Sequence, residues 1–262
     1  MMKVGFIGTG NMGGALASAA ARSGEVEVLL ANRTKAKAEA LAERIGAVVS
    51  SNEFIAREAD HIFLGVKPQM IVDVLKGIAP ALKARKSAPV LISMVTGPDI
   101  ARIQELAGGD YPVIRIMPNT PAAVGAGTIL YAAQNVTDAQ LNAFRAVLAQ
   151  AGLLLPLPEA QIDAASAISG CGPAFCFQFA DALALGGVRA GLSYPDACRL
   201  AAQTMLGAAE MLLQGGEAPD VLKMRVCSPA GTTIEGVLAL EQGGFSYTVQ
   251  NAVTAAYRRT VE

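Results

Sequence analysis

The sequence predicts an α/β chain built of an N-terminal domain around a parallel sheet and an all-α C-terminal domain. Three observations carry that prediction. Short β-branched runs alternate with helical ones through the first half, a glycine-rich turn joins the first strand to the first helix, and beyond about residue 158 Ala/Leu-rich helical periodicity replaces the alternation. The domains read as 1–158 and 159–262.

In order, the strands read as Lys3–Ile7, Val26–Ala31, Ala47–Val49, His61–Val66, Val90–Ser93 and Val113–Ile116, with an antiparallel-looking pair near Thr128–Tyr131 and Leu153–Leu155. Helices fit between them, notably Met12–Ser23 and Ala36–Arg44. The second half reads as helices over Ala164–Arg189, Pro195–Gln214, Thr232–Glu241 and Ser246–Arg259, and Leu212–Pro219, with its Gly215-Gly216 pair, reads as a mobile loop.

Composition narrows the function classes. Hydrophobic residues make up 52% of the chain and charged ones 16%, which favours burying surface between subunits. A formal net charge of -1 offers no basic footprint for nucleic acid. The uncharged stretch Ala164–Ala180 approaches membrane-spanning length, but Ser169-Gly170 and Gly172-Pro173 break it, so it reads as an interface helix and not a membrane span. The N-terminus passes directly from Lys3 into a short apolar strand, unlike a signal peptide, which places the protein in the cytoplasm. Cys171, Cys176, Cys198 and Cys227 lack CxxC spacing and read as reduced.

Gly8-Thr9-Gly10-Asn11-Met12-Gly13 matches G-x-G-x-x-G and lies between a strand ending at Ile7 and a helix. In a Rossmann-type dinucleotide-binding domain, such a turn seats a pyrophosphate on the helix N-terminus: the first glycine makes the turn, the second admits the ligand and the third lets helix pack on strand. The residues after the second strand distinguish the cofactors. An acid there would accept from a ribose 2′-hydroxyl; Asn32, Arg33 and Thr34 instead offer donors and positive charge for a 2′-phosphate. NADPH is therefore expected, with NADH as a weaker cofactor. Gly65-Val66-Lys67-Pro68 follows the fourth strand at the same sheet edge, where Lys67 either holds a ribose or faces solvent.

The only histidine, His61, opens a strand and reads as structural, which removes the usual acid–base pair and hydrolase triad. No metal cluster is expected from one histidine and isolated cysteines. No lysine lies between Lys86 and Lys223, so an alcohol oxidation based on a lysine of the first long helix is disfavoured. Hydride addition to a C=N bond needs no strong base, because a protonated imine is already electrophilic.

Ala167-Ile168-Ser169-Gly170-Cys171-Gly172-Pro173-Ala174 and Arg225-Val226-Cys227-Ser228-Pro229-Ala230-Gly231-Thr232-Thr233-Ile234-Glu235-Gly236 resemble signatures of the pyrroline-5-carboxylate reductases. Gly8–Gly13, Asn32-Arg33, Val66-Lys67-Pro68 and Met117-Pro118-Asn119-Thr120-Pro121 extend the resemblance over essentially the whole chain. Ala230 departs from it, since members often carry a second glycine there. The resemblance implies NADPH-dependent reduction of 1-pyrroline-5-carboxylate to L-proline, the last step of proline synthesis. It places the small-molecule substrate on Ser228, Gly231, Thr232 and Thr233, with Thr233 near the ring nitrogen. It also puts Asn52 on the adenosine ribose and Met117, Pro118 and Asn119 on the nicotinamide face. In the family, C-terminal helices interleave between subunits, which implies a homodimer or higher homo-oligomer. The residues alone leave open another NADPH-dependent imine or keto-acid reductase, or a non-catalytic NADP(H)-binding protein.

Overall fold

The β-branched runs assemble into one sheet in this computed structural model, which describes residues 1–261. In chain order the strands are β1 (Met2–Ile7), β2 (Val26–Ala31), β3 (Val48–Val49), β4 (His61–Leu64), β5 (Val90–Ser93), β6 (Val113–Met117), β7 (Gly127–Gln134) and β8 (Gly152–Pro156). Across the sheet they lie in the order 3-2-1-4-5-6-7-8. All neighbours from β3 through β6 are parallel, β6 and β7 are antiparallel, and β7 and β8 are parallel. The antiparallel partner of β7 is thus β6 and not β8. The chain leaves β3 at one edge and returns to β4 beside β1, and this reversal opens a crevice at the carboxyl ends of β1 and β4.

Helices cover both faces. α1 (Asn11–Arg22), α2 (Lys35–Ile45) and α6 (Asp138–Leu148) cover one, where Leu16, Leu41 and Phe144 join Phe6 and Phe63, whose rings stack at 4.4 Å. α3 (Asn52–Glu58), α4 (Ile71–Lys83), α5 (Ile100–Ala107) and α7 (Ile162–Ser169) cover the other through Ile55, Leu75, Ile103 and Ile162. The chain forms two compact units that divide after Gly170, because α7 belongs to the sheet: Ile162 sits in its core, and the buried Arg115 of β6 donates to Asp163 at 2.8 Å.

The second unit is all helical, with α8 (Gly172–Arg189), α9 (Tyr194–Gly215), α10 (Pro219–Val226), α11 (Thr232–Gln242) and α12 (Phe245–Val261). The expected helix Ala164–Arg189 is two helices. α7 ends at Ser169, and Pro173, which has no N–H to give an α-helical ladder, stands in the first turn of α8. The expected mobile loop at Leu212–Pro219 is also mostly helix. α9 runs to Gly215 and is stopped by Gly216 in the left-handed region, while Glu217 accepts two bonds from Arg225 at 2.5 and 2.6 Å.

His61 is buried at the start of β4, and its Nε2 lies 3.2 Å from the carbonyl oxygen of Gln140, so the neutral ring donates there. Burial pushes its pKa below 6.5, against smaller opposing effects of that bond and of Asp60. The unfolded chain therefore takes up the proton more readily. The contribution of the neutral ring to stability is fully present above pH 6.5 and is lost as pH falls from 6.5 through the lower folded value. Melting temperatures of wild type and His61→Gln across pH 5 to 8 check this: the variant is expected to lose part of the acid-side slope, and an unchanged slope would assign the slope to other groups.

Candidate active site

The glycine turn is fixed by steric necessity. Gly8 takes a φ of +100°, and a Cβ there would overlap the Gly65 carbonyl; a Cβ on Gly13 would overlap the Gly8 carbonyl. Gly8 N–H donates to Ala31 O and Gly65 N–H to Ile7 O, each at 2.8 Å, so the ends of β1, β2 and β4 are tied at one point. A Cβ on Gly10, by contrast, would meet nothing within 4 Å. Gly8, Gly13 and Gly65 permit close packing, whereas Gly10 keeps its backbone open to a ligand at the N-terminus of α1.

Two clefts flank this turn. One, of about 510 Å3, is lined by Ile7, Gly8, Gly10, Asn32, Arg33, Thr34, Asn52, Gly65, Val66 and Lys67 among the expected cofactor residues. The other, of about 1050 Å3, takes in Thr9, Gly10 and Asn11 and runs along α1 and α2. Met12, Pro68, Met117, Pro118 and Asn119 line neither. Asn32 is held in place by both ends of its amide, accepting from Thr9 N–H at 3.2 Å and donating to Thr34 O at 3.0 Å.

Lys37, Ser50, Ser51, Met70 and Val74 also line the smaller cleft and were not legible from the glycine motif. The two serines follow β3, and the rule that ligands gather at the carboxyl ends of strands is the signal that points to them. Ser51 has a local duty as well, because its hydroxyl accepts from Phe54 N–H and caps α3.

Met117 ends β6, followed by Pro118 and Asn119. Asn119 is buried and bonded at both ends of its amide: Oδ1 accepts from Thr128 N–H at 2.8 Å, and Nδ2 donates to Ser169 O at 2.9 Å. The Asn119 side chain thereby clasps the β6 exit to the start of β7 and the end of α7. Together with Arg115–Asp163 it fixes the 117–119 segment from two sides. Met117 remains partly exposed on that segment.

In the helical unit, Ser228, Gly231, Thr232 and Thr233 come together at the start of α11. Gly231 is its N-cap, with Thr232 and Thr233 the first two helical residues. No side chain caps this end, so its first amides have no helical acceptor, and the macrodipole makes it attractive to an anion. Gly231 N–H donates to Ser228 O at 3.0 Å, and a Cβ on Gly231 would overlap the Ser228 hydroxyl. That hydroxyl can rotate away, but the Ser228 carbonyl oxygen would still stand 3.0 Å from the added Cβ, so the turn is closely packed at 231. Ala230 takes a φ of +56°, a left-handed conformation that costs an alanine roughly 1 kcal/mol more than a glycine. That is the physical reason a glycine suits this place.

This unit buries little of its own apolar surface. Below a tenth exposure it places only Ala184, Ala197 and Ala201 among the described residues, where α8 and α9 pack closely. Phe177, Leu213 and Tyr247 are 70%, 80% and 70% exposed. By length and composition, Glu159–Arg189 could cross a membrane. Its first part, α7, is bound to the sheet instead.

Residues 159–262 match the sequence profile for pyrroline-5-carboxylate reductase dimerisation, and residues 3–97 match that for NADP oxidoreductase, coenzyme F420-dependent. The pyrroline-5-carboxylate reductase of Glycine max is 40% identical over 99% of this chain and 95% of its own. The pyrroline carboxylate reductase of Plasmodium falciparum, solved with NADP bound, superposes with a TM-score of 0.86 at 34% identity, covering 99% of this chain and 97% of its own. That of Coxiella burnetii gives a TM-score of 0.89 at 32% identity, over 98% and 96%. With likeness spanning both the nucleotide unit and the helical one, the chain belongs to the pyrroline-5-carboxylate reductase family.

Proposed function

We propose that this protein reduces 1-pyrroline-5-carboxylate to L-proline with NADPH, the closing step of proline synthesis. The observation that carries the reading is the pairing, in one chain, of an open glycine turn at the switch point of the sheet with an uncapped helix start at Gly231. When bound, NADPH supplies the hydride that reduces the C=N carbon. The amides of Gly10 and Asn11 hold its pyrophosphate, Asn52 and Lys67 its riboses, and Asn32, Arg33 and Thr34 its 2′-phosphate. Met117 and Pro118 present the wall for the nicotinamide, and Asn119 acts by holding that wall still.

The substrate carboxylate is received by the amides of Thr232 and Thr233, in the turn that Gly231 closes through its bond to Ser228 O, with the Ser228 hydroxyl beside them. The Thr233 hydroxyl accepts the N–H of the protonated ring imine, so its oxygen fixes the ring orientation and steadies the positive charge on nitrogen. The product amine keeps that proton, and no strong base is required. We further place the protein in the cytoplasm, as a homodimer or larger homo-oligomer assembled through its C-terminal helices. The helical surface described above supports that assembly, and the cysteines are free, as a reducing compartment maintains them.

The decisive experiment follows NADPH absorbance with 1-pyrroline-5-carboxylate and with open-chain keto acids as alternatives. Rapid oxidation with the cyclic imine alone is expected. Turnover of a keto acid in its place, or cofactor binding without turnover of any substrate, would remove the assignment.

A further inference from the structure

Resting on the NADPH reading, we propose that Lys37 is a specificity-determining residue that clamps the 2′-phosphate together with Arg33. Three cations follow the end of β2, and the structure separates their roles. Lys35 is committed to Glu39, 3.2 Å away on the same helix. Arg33 lines the smaller cleft only, whereas Lys37 lines both the smaller cleft and the larger one, and so stands on the rim between them. Neither Arg33 nor Lys37 forms a salt bridge among the described residues.

The surroundings favour an anion at this rim. Arg33, Lys37 and Lys67 line one cleft and Arg22, Lys37 and Arg44 the other, with no aspartate or glutamate on either lining. The remaining cations are excluded from this task by reach or by prior engagement. Arg44 lies seven residues along α2 from Lys37, roughly 10 Å at 1.5 Å per residue. Arg22 donates to Gln150 O at 3.1 Å. A 2′-phosphate carries close to two negative charges and three acceptor oxygens, more than one guanidinium satisfies. A 2′-hydroxyl has no such demand, so Lys37 acts on NADPH and has little effect on NADH.

Calorimetry on the full-length protein tests this without turnover, using adenosine 2′,5′-bisphosphate and 5′-AMP as probes. Lys37→Gln is expected to raise the dissociation constant of the bisphosphate about tenfold, as for loss of one charge-assisted bond, and that of 5′-AMP by less than about twofold. Lys37→Arg should restore most of the affinity, and Lys35→Gln should behave as wild type. An unchanged bisphosphate affinity in Lys37→Gln, equal weakening of both probes, or an equal effect of Lys35→Gln would overturn the clamp. If the wild type itself binds both probes alike, the NADPH reading has failed at its root, an outcome distinct from failure at Lys37.

Discussion

Replacing Thr233 with alanine is expected to lower turnover about a hundredfold, the usual loss when one preorganised hydrogen-bonding group is removed from the reacting centre. The dissociation constant for NADPH should stay within about twofold, since that change would correspond to less than 0.5 kcal/mol. The two effects separate because the residue and the lining of the nucleotide cleft belong to different units of the chain. Thr233 is the second residue of α11, in the helical unit, while every side chain lining the cleft near Arg33 belongs to the sheet unit. Its hydroxyl makes no hydrogen bond among the described residues, so the change breaks no internal bond and the fold should melt unaltered. Both kcat and kcat/KM should fall together, as for an interaction that strengthens toward the transition state, and Thr233→Ser should recover most of the rate. Steady-state kinetics and cofactor fluorescence measure the two quantities. Lost NADPH affinity with unchanged turnover would move Thr233 out of the substrate site.

The parts that sequence grammar reads well are those where local sterics and tertiary need agree. Gly8, Gly10 and Gly13 are such a case: the motif requires backbone proximity, and the overlaps that a Cβ would create at Gly8 and Gly13 are that same requirement seen in space. The direction of β8 was less accessible, because strand pairing is non-local. A clue existed in Thr137-x-x-Gln140, a capping box that starts α6 between β7 and β8 and so inserts the helical crossover that parallel strands need. The break after Ser169 was likewise written in Gly170, where a Cβ would crowd the Ser166 hydroxyl, and in Pro173, but the continuous apolar periodicity masked it. α10 is only eight residues long and depends on packing more than on pattern. Lys37 escaped because its role depends on lining two clefts at once. No spacing rule along one chain encodes that position.

On dilution, activity and secondary structure of the helical unit are expected to disappear together with the oligomer, leaving no folded, active monomer. The sheet unit owns both hydrophobic clusters, whereas among the described residues the helical unit's buried interior consists of three alanines and leaves Phe177, Leu183, Leu206, Leu213 and Tyr247 among the exposed side chains. Burying roughly ten large side chains of this kind against a second copy would contribute about 15–30 kcal/mol before losses. Association costs roughly 4–15 kcal/mol in lost freedom and ordering, so the balance favours the assembled state. α11 lies within this unit, so the substrate site proposed at its N-terminus is expected to lose its geometry when the helices around it lose their partner. Light scattering across a dilution series, read beside activity and helical circular dichroism, makes the comparison. A stable monomer that retains turnover would show that the exposed helical faces need no second copy, and the link between assembly and catalysis would be lost.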